Sequence, residues 1–358
     1  MKRAFIVVYL LCVLLTGCVK QEILEKSTIS FVGAFDEAAD DQIEMTLAPP
    51  RFHSGKSISV SNNLISNIGH TSKSIVQIMD MKLNRTIKTG KISVVLFEKA
   101  MAQKGLADEL DVFLRDALSS RKLFVAVVDG KAKNLLHADF SSDVEKGMYL
   151  FDLLQSNVRT GFVPRQNLND FEYAYLGKGM DPFLPILALR NGHVVISGLA
   201  LFKDDRYVSS LNEQQMRMVK LLRERTKHGT LEARLDNGTY AAVRNVGSNV
   251  KYRVSRDQNR PKVAIALRFK GEVMDTQGFQ LTRDEKQRIK EALEKELAAT
   301  GTALIQQFKN EGIDPLGLGD IVRSKTRNWN EAAWKKQYPA VNVSLKVHVD
   351  ILDSGIRK

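Results

Sequence analysis

Cysteine is almost missing from this chain of 358 residues: there are two, Cys12 and Cys18, both near the amino terminus. The residues beyond Cys18 therefore contain no thiol and no disulfide, and their fold must rest on its hydrophobic core. Long apolar runs are lacking as well: beyond residue 20 no stretch approaches the roughly 18 consecutive apolar residues that would read as a spanning helix. Recognisable catalytic and metal motifs are absent too. The six histidines (His53, His70, His137, His193, His228 and His348) never pair at zinc-ligand spacing, and there is no H-E-x-x-H, C-x-x-C or G-x-S-x-G. Gly55-Lys56-Ser57 lacks the earlier glycine of a phosphate-binding loop. No enzyme, cofactor site or metal site is read from the residues.

What is present begins at the amino terminus. Lys2 and Arg3 precede an apolar run from Ala4 to Leu15. That run is too short to cross a bilayer, which takes roughly 20 helical residues, and it suits the apolar segment of an export signal. It ends Leu15-Thr16-Gly17-Cys18, which resembles a bacterial lipobox. The resemblance implies that residues 1–17 are a signal peptide. Cys18 then becomes the first residue and carries an S-diacylglyceryl group, to which an N-acyl chain can be added. Two acyl chains anchor a protein stably where one does not. The formal net charge of +12 falls to +10 when Lys2 and Arg3 leave. Export argues against nucleic acid as the partner of such a basic chain, which leaves anionic headgroups or acidic wall polymers, or a generally basic surface kept for solubility.

The remaining chain alternates between two periods. "STISFVGAF" and "QIEMTLA", with Ile43, Met45 and Leu47 at every second position, flank the polar "DEAADD" and predict a hairpin. "PPRFHSGKSISVSNN" is expected to be an irregular loop, since prolines break a strand ladder. Ile75, Met79 and Leu83 lie at helical spacing. "KISVVLF", the amphipathic "LADELDVFLRDAL" and "LFVAVVDG" then read as strand, helix and strand, a parallel βαβ unit without a Gly-rich loop for nucleotide phosphates. A helix is expected over "SDVEKGMYLFDLLQSN". Asn191-Gly192 between apolar runs predicts a tight hairpin, and Asn212 caps a helix whose Met216, Val219 and Leu222 form a core stripe. "TLEARL", "YAAVRNV" and "KVAIALRFKGEV" read as strands. Thr282 and Glu285 form a T-x-x-E capping box at the head of a long helix with Ile289, Leu293, Leu297, Leu304 and Phe308 on its buried face. Gly317-Leu318-Gly319 reads as a flexible connection, and Trp329 and Trp334 as core anchors. The chain closes on "VNVSLKVHVDI", apolar at every second residue from Val341 to Ile351, with His348 on the exposed side.

These segments predict an α+β fold of about three mixed α/β modules, with largely antiparallel sheets packed by helices and a long carboxy-terminal amphipathic helix followed by a final strand. The expected divisions are a signal peptide at 1–17, an N-terminal α/β region at 18–183, a central strand-hairpin-helix module at 184–228 and a C-terminal α+β domain at 229–358. Ser119-x-x-Lys122 and Lys88-Thr89-Gly90 match two motifs of penicillin-interacting enzymes, but in the reverse order, so that reading is set aside.

Three separated segments carry a further resemblance. They are "GHTSKSIVQIMDMKLNRTIKTGKISVVLFEKAMAQKGLADELDVFLRD", ending in Arg115-Asp116; "VVISGLALFKDDRYVSSL"; and "GIDPLGLGDIVRSKTRNWNEAAW" followed by "YPAVNVSLKVHVDILDSG". With Gly312, Asp314, Gly317, Trp329 and Gly355 in order, the chain resembles the Ger(x)C family, the lipoprotein C subunits of nutrient germinant receptors in spore-forming bacteria. Val19-Lys20 departs from the aromatic and acidic pair common in the family. The resemblance implies a non-enzymatic subunit required for spore germination. It would act with integral-membrane A and B subunits and be held on the outer face of the inner spore membrane through acylated Cys18. The alternative is a membrane-anchored solute-binding lipoprotein, for which the βαβ unit is the expected scaffold.

Overall fold

A computed structural model describes residues 27–53, 59–141, 144–255 and 261–352. Residues 1–17, Cys18 and Gly355, which carry several of the expectations above, lie outside the described residues. In chain order the elements are β1 (Ser27–Ile29), β2 (Val32–Glu37), β3 (Ile43–Leu47), β4 (Pro50–His53), β5 (Ser59–Asn62), β6 (Ile65–Gly69), α1 (Ser72–Asp80), β7 (Thr86–Lys88), β8 (Val94–Glu98), α2 (Lys99–Lys104), α3 (Ala107–Arg115) and β9 (Phe124–Val128). There follow α4 (Ala132–His137), α5 (Lys146–Thr160), α6 (Leu168–Leu176), β10 (Phe183–Arg190), β11 (His193–Lys203), β12 (Arg206–Leu211) and α7 (Glu213–Arg223). The last third holds β13 (Thr230–Arg234), β14 (Tyr240–Val254), β15 (Lys262–Asp275), α8 (Arg283–Glu311), α9 (Leu318–Arg323), α10 (Glu331–Gln337) and β16 (Asn342–Leu352).

Eight strands form one mixed sheet in the order β12-β11-β10-β9-β8-β2-β3-β6. Its four central strands, β10, β9, β8 and β2, are parallel, and the hairpins on either side are antiparallel. Because both faces of the central strands are covered, β8 and β9 are buried at every residue. Phe35, Phe97 and Phe113 pack on one face, and Leu96, Leu150 and Leu154 on the other. The expected βαβ unit forms with β8 and β9 in parallel register, and the β2–β3 hairpin pairs Gly33 with Leu47 through Glu37 with Ile43. β10 to β12, from the expected central module, continue this same sheet through β10 beside β9. Asn191 (φ 51°) and Gly192 (φ 78°) make the left-handed turn that joins β10 to β11.

The second sheet is β13-β14-β15-β16. β16 lies parallel to β15, from Asn342 beside Lys262 to Leu352 beside Glu272. Such a pairing requires a crossover, and α8 supplies it. Leu293, Leu304 and Phe308 of α8 bury against Val263, Ile265, Leu267 and Phe269. Helix α7 fastens the two sheets together: Met216, Met218, Val219 and Leu222 belong to one buried cluster with Leu199 and Leu201 of β11 and the strands of the second sheet. Met216, Val219 and Leu222 form the expected core stripe, and Met218 is buried with them. Asn212 heads α7 with a complete capping box to Gln215. At α8 only half of the expected box forms: Thr282 accepts from the Glu285 amide, and the Glu285 carboxylate turns to Arg288 instead (3.1 Å).

Two parts of one expected loop are strands: Pro50–His53 (β4) pairs with Ser59–Asn62 (β5), with Pro50 opposite Asn62. Proline is tolerated there because it opens the strand and a lone ribbon has no inner strand to interrupt.

Candidate functional site

The most constrained polar residues lie where the two sheets meet, on two loops that are far apart in sequence. One is 177–182, between α6 and β10; the other is 312–317, between α8 and α9, together with the first turn of α9. Helix α8 ends in a Schellman motif. Gly312 adopts φ 66°, its N–H donates to the Lys309 carbonyl (3.3 Å), and the Ile313 N–H donates to the Phe308 carbonyl (3.0 Å). Ile313 buries completely, which aims the next residue, Asp314, into the joint.

Asp314 is 4% exposed. Its Oδ1 accepts the Leu318 N–H (2.9 Å) and its Oδ2 the Gly319 N–H (2.7 Å), the first two amides of α9. Its own N–H donates to Asp181 Oδ2 (2.7 Å), and its carbonyl accepts the Asp181 N–H (3.0 Å). Asp181 Oδ1 also accepts the Asp204 N–H from the β11–β12 turn (3.2 Å). A third link is the Asp320 N–H to the Gly179 carbonyl (2.9 Å). Backbone meets backbone here: a Cβ on Gly319 would sit 2.6 Å from Gly179 Cα, and Trp334 closes over the same point. Arg223, stacked 5.1 Å over Phe183, donates to the Pro315 carbonyl and ties α7 to the joint.

Burial raises Asp314 to about 7, outweighing the two amide bonds that pull it down, and the neighbouring Asp181 carboxylate adds to the rise. Asp181 is raised by the same cause, burial first. Burial likewise raises Tyr338, whose ring packs at a tilt of 46° against Trp334 with centroids 5.6 Å apart. Beside the joint runs a cleft of about 380 Å³ lined by Tyr175, Lys178, Lys203, Asp204, Trp334 and Lys335, among others.

The structure thus brings Gly312, Asp314 and Gly317 of the distinctive carboxy-terminal segment into one place. It also corrects the reading of Gly317-Leu318-Gly319 as flexible. Gly317 (φ 70°) is the cap of α9, and Leu318 and Gly319 are buried. The twin glycines serve a left-handed turn and a close backbone approach, not mobility. Trp334 is a core anchor, 4% exposed. Trp329 packs only partly against the core, and its buried Nε1 has no hydrogen-bond partner among the described residues. Arg115 and Asp116 do not act together: Arg115 pairs with Asp111, while Asp116 accepts the Leu118 N–H (3.0 Å) and pairs with Lys73 (3.0 Å). His348 is half-exposed between Glu294 (3.3 Å) and Asp350 (3.0 Å). Sequence reading missed Gly179 and Asp181. The signal was there, since each side of the joint carries an Asp-Pro step shortly after glycine, Asp181-Pro182 and Asp314-Pro315.

The carboxyl ends of the parallel strands, where open α/β sheets take ligands, are filled by the chain itself. Asp36, fully buried and raised by that burial, accepts the Ala132 and Lys133 N–H groups at the head of α4 (2.6 and 2.8 Å). Lys131 Nζ bonds Glu98 Oε2 (2.8 Å) and the Glu37 carbonyl (2.9 Å) across the same ends.

Fold and joint together define a two-part α+β scaffold whose most constrained polar residues hold backbone to backbone. Two family models match it in tandem. One is described as the spore germination protein N-terminal domain, over residues 20–189; the other, described as spore germination B3/GerAC like, C-terminal, covers residues 197–355. The chain belongs to this Ger(x)C family of spore germination proteins. It is similar to spore germination protein GerQC of Bacillus cereus, 26% identical over 99% of each chain. It is also similar to spore germination protein A3 of Bacillus subtilis (strain 168), 21% identical over 77% of this chain and 74% of that one. Its fold is similar to that in the crystal structure of the GerBC protein, with a TM-score of 0.60 and 17% identity over 90% of this chain and 97% of that chain. Asp181 and Gly179 fall within the first family model, Asp314 and Gly319 within the second, so the joint bonds the two family domains, which also meet along the β10–β11 hairpin.

Proposed function

We propose that this spore germination protein is a non-catalytic, lipid-anchored subunit of a nutrient germinant receptor, acting with integral-membrane A and B subunits. The observation that carries the reading is the Asp181–Asp314 joint, which bonds the two family domains to each other, a device suited to presenting surfaces to partners. The lipobox supports the anchor, with Cys18 acylated after removal of residues 1–17 and the protein held on the outer face of the inner spore membrane. Spores whose only copy carries Cys18→Ala, at normal protein level, test the reading. It predicts an impaired nutrient response with the fold unchanged, and a normal response would count against it.

The cleft beside the joint favours a second reading, a solute-binding lipoprotein, because it places aromatic rings and charged groups of both signs around one space. Titration calorimetry of the protein with amino acids and sugars decides: saturable heat at millimolar ligand supports this second reading, and its absence removes it.

A further inference from the structure

Two of the most exposed large apolar side chains, Leu118 (78%) and Met81 (76%), lie close to where the chain enters its fold. Met81 ends α1, which is tied to β7 by Asp80 accepting the Ile87 N–H (2.7 Å). Leu118 sits on the loop before β9 and rests on Gly90, in the loop before β8, where a Cβ would lie 2.8 Å from Leu118 Cβ. β1, the first described strand, pairs with β7 from Ser27 beside Thr86 to Ile29 beside Lys88. These features share the amino-terminal end of the parallel strands.

The charge around them is mostly positive. Residues 81–91 contain four cations and no carboxylate, and residues 117–122 contain two cations and no carboxylate. Lys82, Arg85, Lys91 and Lys122 are exposed; Lys82 bonds Asn67, and none of the four has an ion pair among the described residues. The flanking carboxylates are already engaged, Asp80 by the Ile87 amide and Asp116 by Leu118 and Lys73.

We propose that this face rests on an anionic lipid bilayer, with Met81 and Leu118 entering the headgroup layer and Lys82, Arg85, Lys91 and Lys122 against the lipid charge. The assignment rests on the reading of Cys18 as the anchor. Nine residue steps separate Cys18 from Ser27, roughly 30 Å even at full extension, so an anchored chain keeps β1 and its surroundings near the membrane. Apolar tips ringed by lysine and arginine are what an anionic interface binds. This orientation turns the plugged carboxyl ends of β2 and β8 away from the lipid.

The test uses the processed, full-length protein carrying Leu118→Trp or Met81→Trp, mixed with vesicles of phosphatidylcholine, with or without phosphatidylglycerol, containing brominated acyl chains. With phosphatidylglycerol the new tryptophan should be quenched about twofold or more relative to the parent protein, and neutralising all four cations to Gln should reverse this. No quenching by the anionic vesicles at either position would overturn the proposal and leave an acidic protein surface as the occupant. Flotation of the parent protein with vesicles of phosphatidylcholine alone reads the lipid anchor separately, so failure of the anchor is distinguished from failure of the face.

Discussion

Asp314 keeps both carboxylate oxygens on backbone donors while burial raises it to about 7. Its folded-state affinity for a proton therefore exceeds the unfolded one, whose ordinary value is 3.8. Stability from this group is fully present below about pH 4 and is lost as pH rises through about 7. Asp314→Asn keeps the volume but turns an NH₂ group toward an amide N–H. Urea unfolding at pH 5 should show a loss of about 1–3 kcal/mol. That deficit should shrink at pH 8, where the wild-type carboxylate is ionised in its buried site; a deficit that grows with pH would contradict the assignment. Lys220, 2% exposed, donates to the Val158 and Val163 carbonyls (2.6 and 2.7 Å). Lys220→Met orphans both acceptors, and chemical denaturation should show a loss of at least about 2 kcal/mol.

At the scale of elements, the joint depends on α9 approaching the 177–182 loop with no side chain between them. Gly179 is left-handed (φ 77°), and its absent Cβ would lie 2.6 Å from the Gly319 carbonyl carbon. Gly179→Ala should lower stability by roughly 1–3 kcal/mol through overpacking, measured as a fall in Tm, whereas Gly192→Ala meets nothing within 4 Å and tests the turn alone. Elements with strong local periods were legible: the β2–β3 and β10–β11 hairpins, the βαβ unit, α7 and α8 each announce themselves within a dozen or so residues. The parallel seat of β16 beside β15 was not, because alternation sets which side chains are buried and says nothing of the neighbour. Nor was the ordering of β4 and β5, where proline was weighted against a ribbon that tolerates it. Asp181 and Asp314 lie 133 residues apart; the matching Gly-x-Asp-Pro steps mark both, but nothing local says that the two meet.

At the scale of the molecule, a core cluster runs unbroken from β11 through α7 to the second sheet, and the joint locks the same boundary with hydrogen bonds. The two family domains should therefore unfold in a single transition, with tryptophan fluorescence from Trp329 and Trp334 and far-ultraviolet circular dichroism superimposing; two separated midpoints would show that the halves are independent. On the proposed reading, a lipid-anchored chain whose two family domains are bonded to each other acts through what it holds. Solubilising spore membranes in detergent and purifying this chain through an affinity tag tests that most directly. The account predicts that two integral-membrane proteins co-purify with it in fixed proportion, whereas recovery of the chain without them, from spores that germinate normally in response to nutrients, would contradict it.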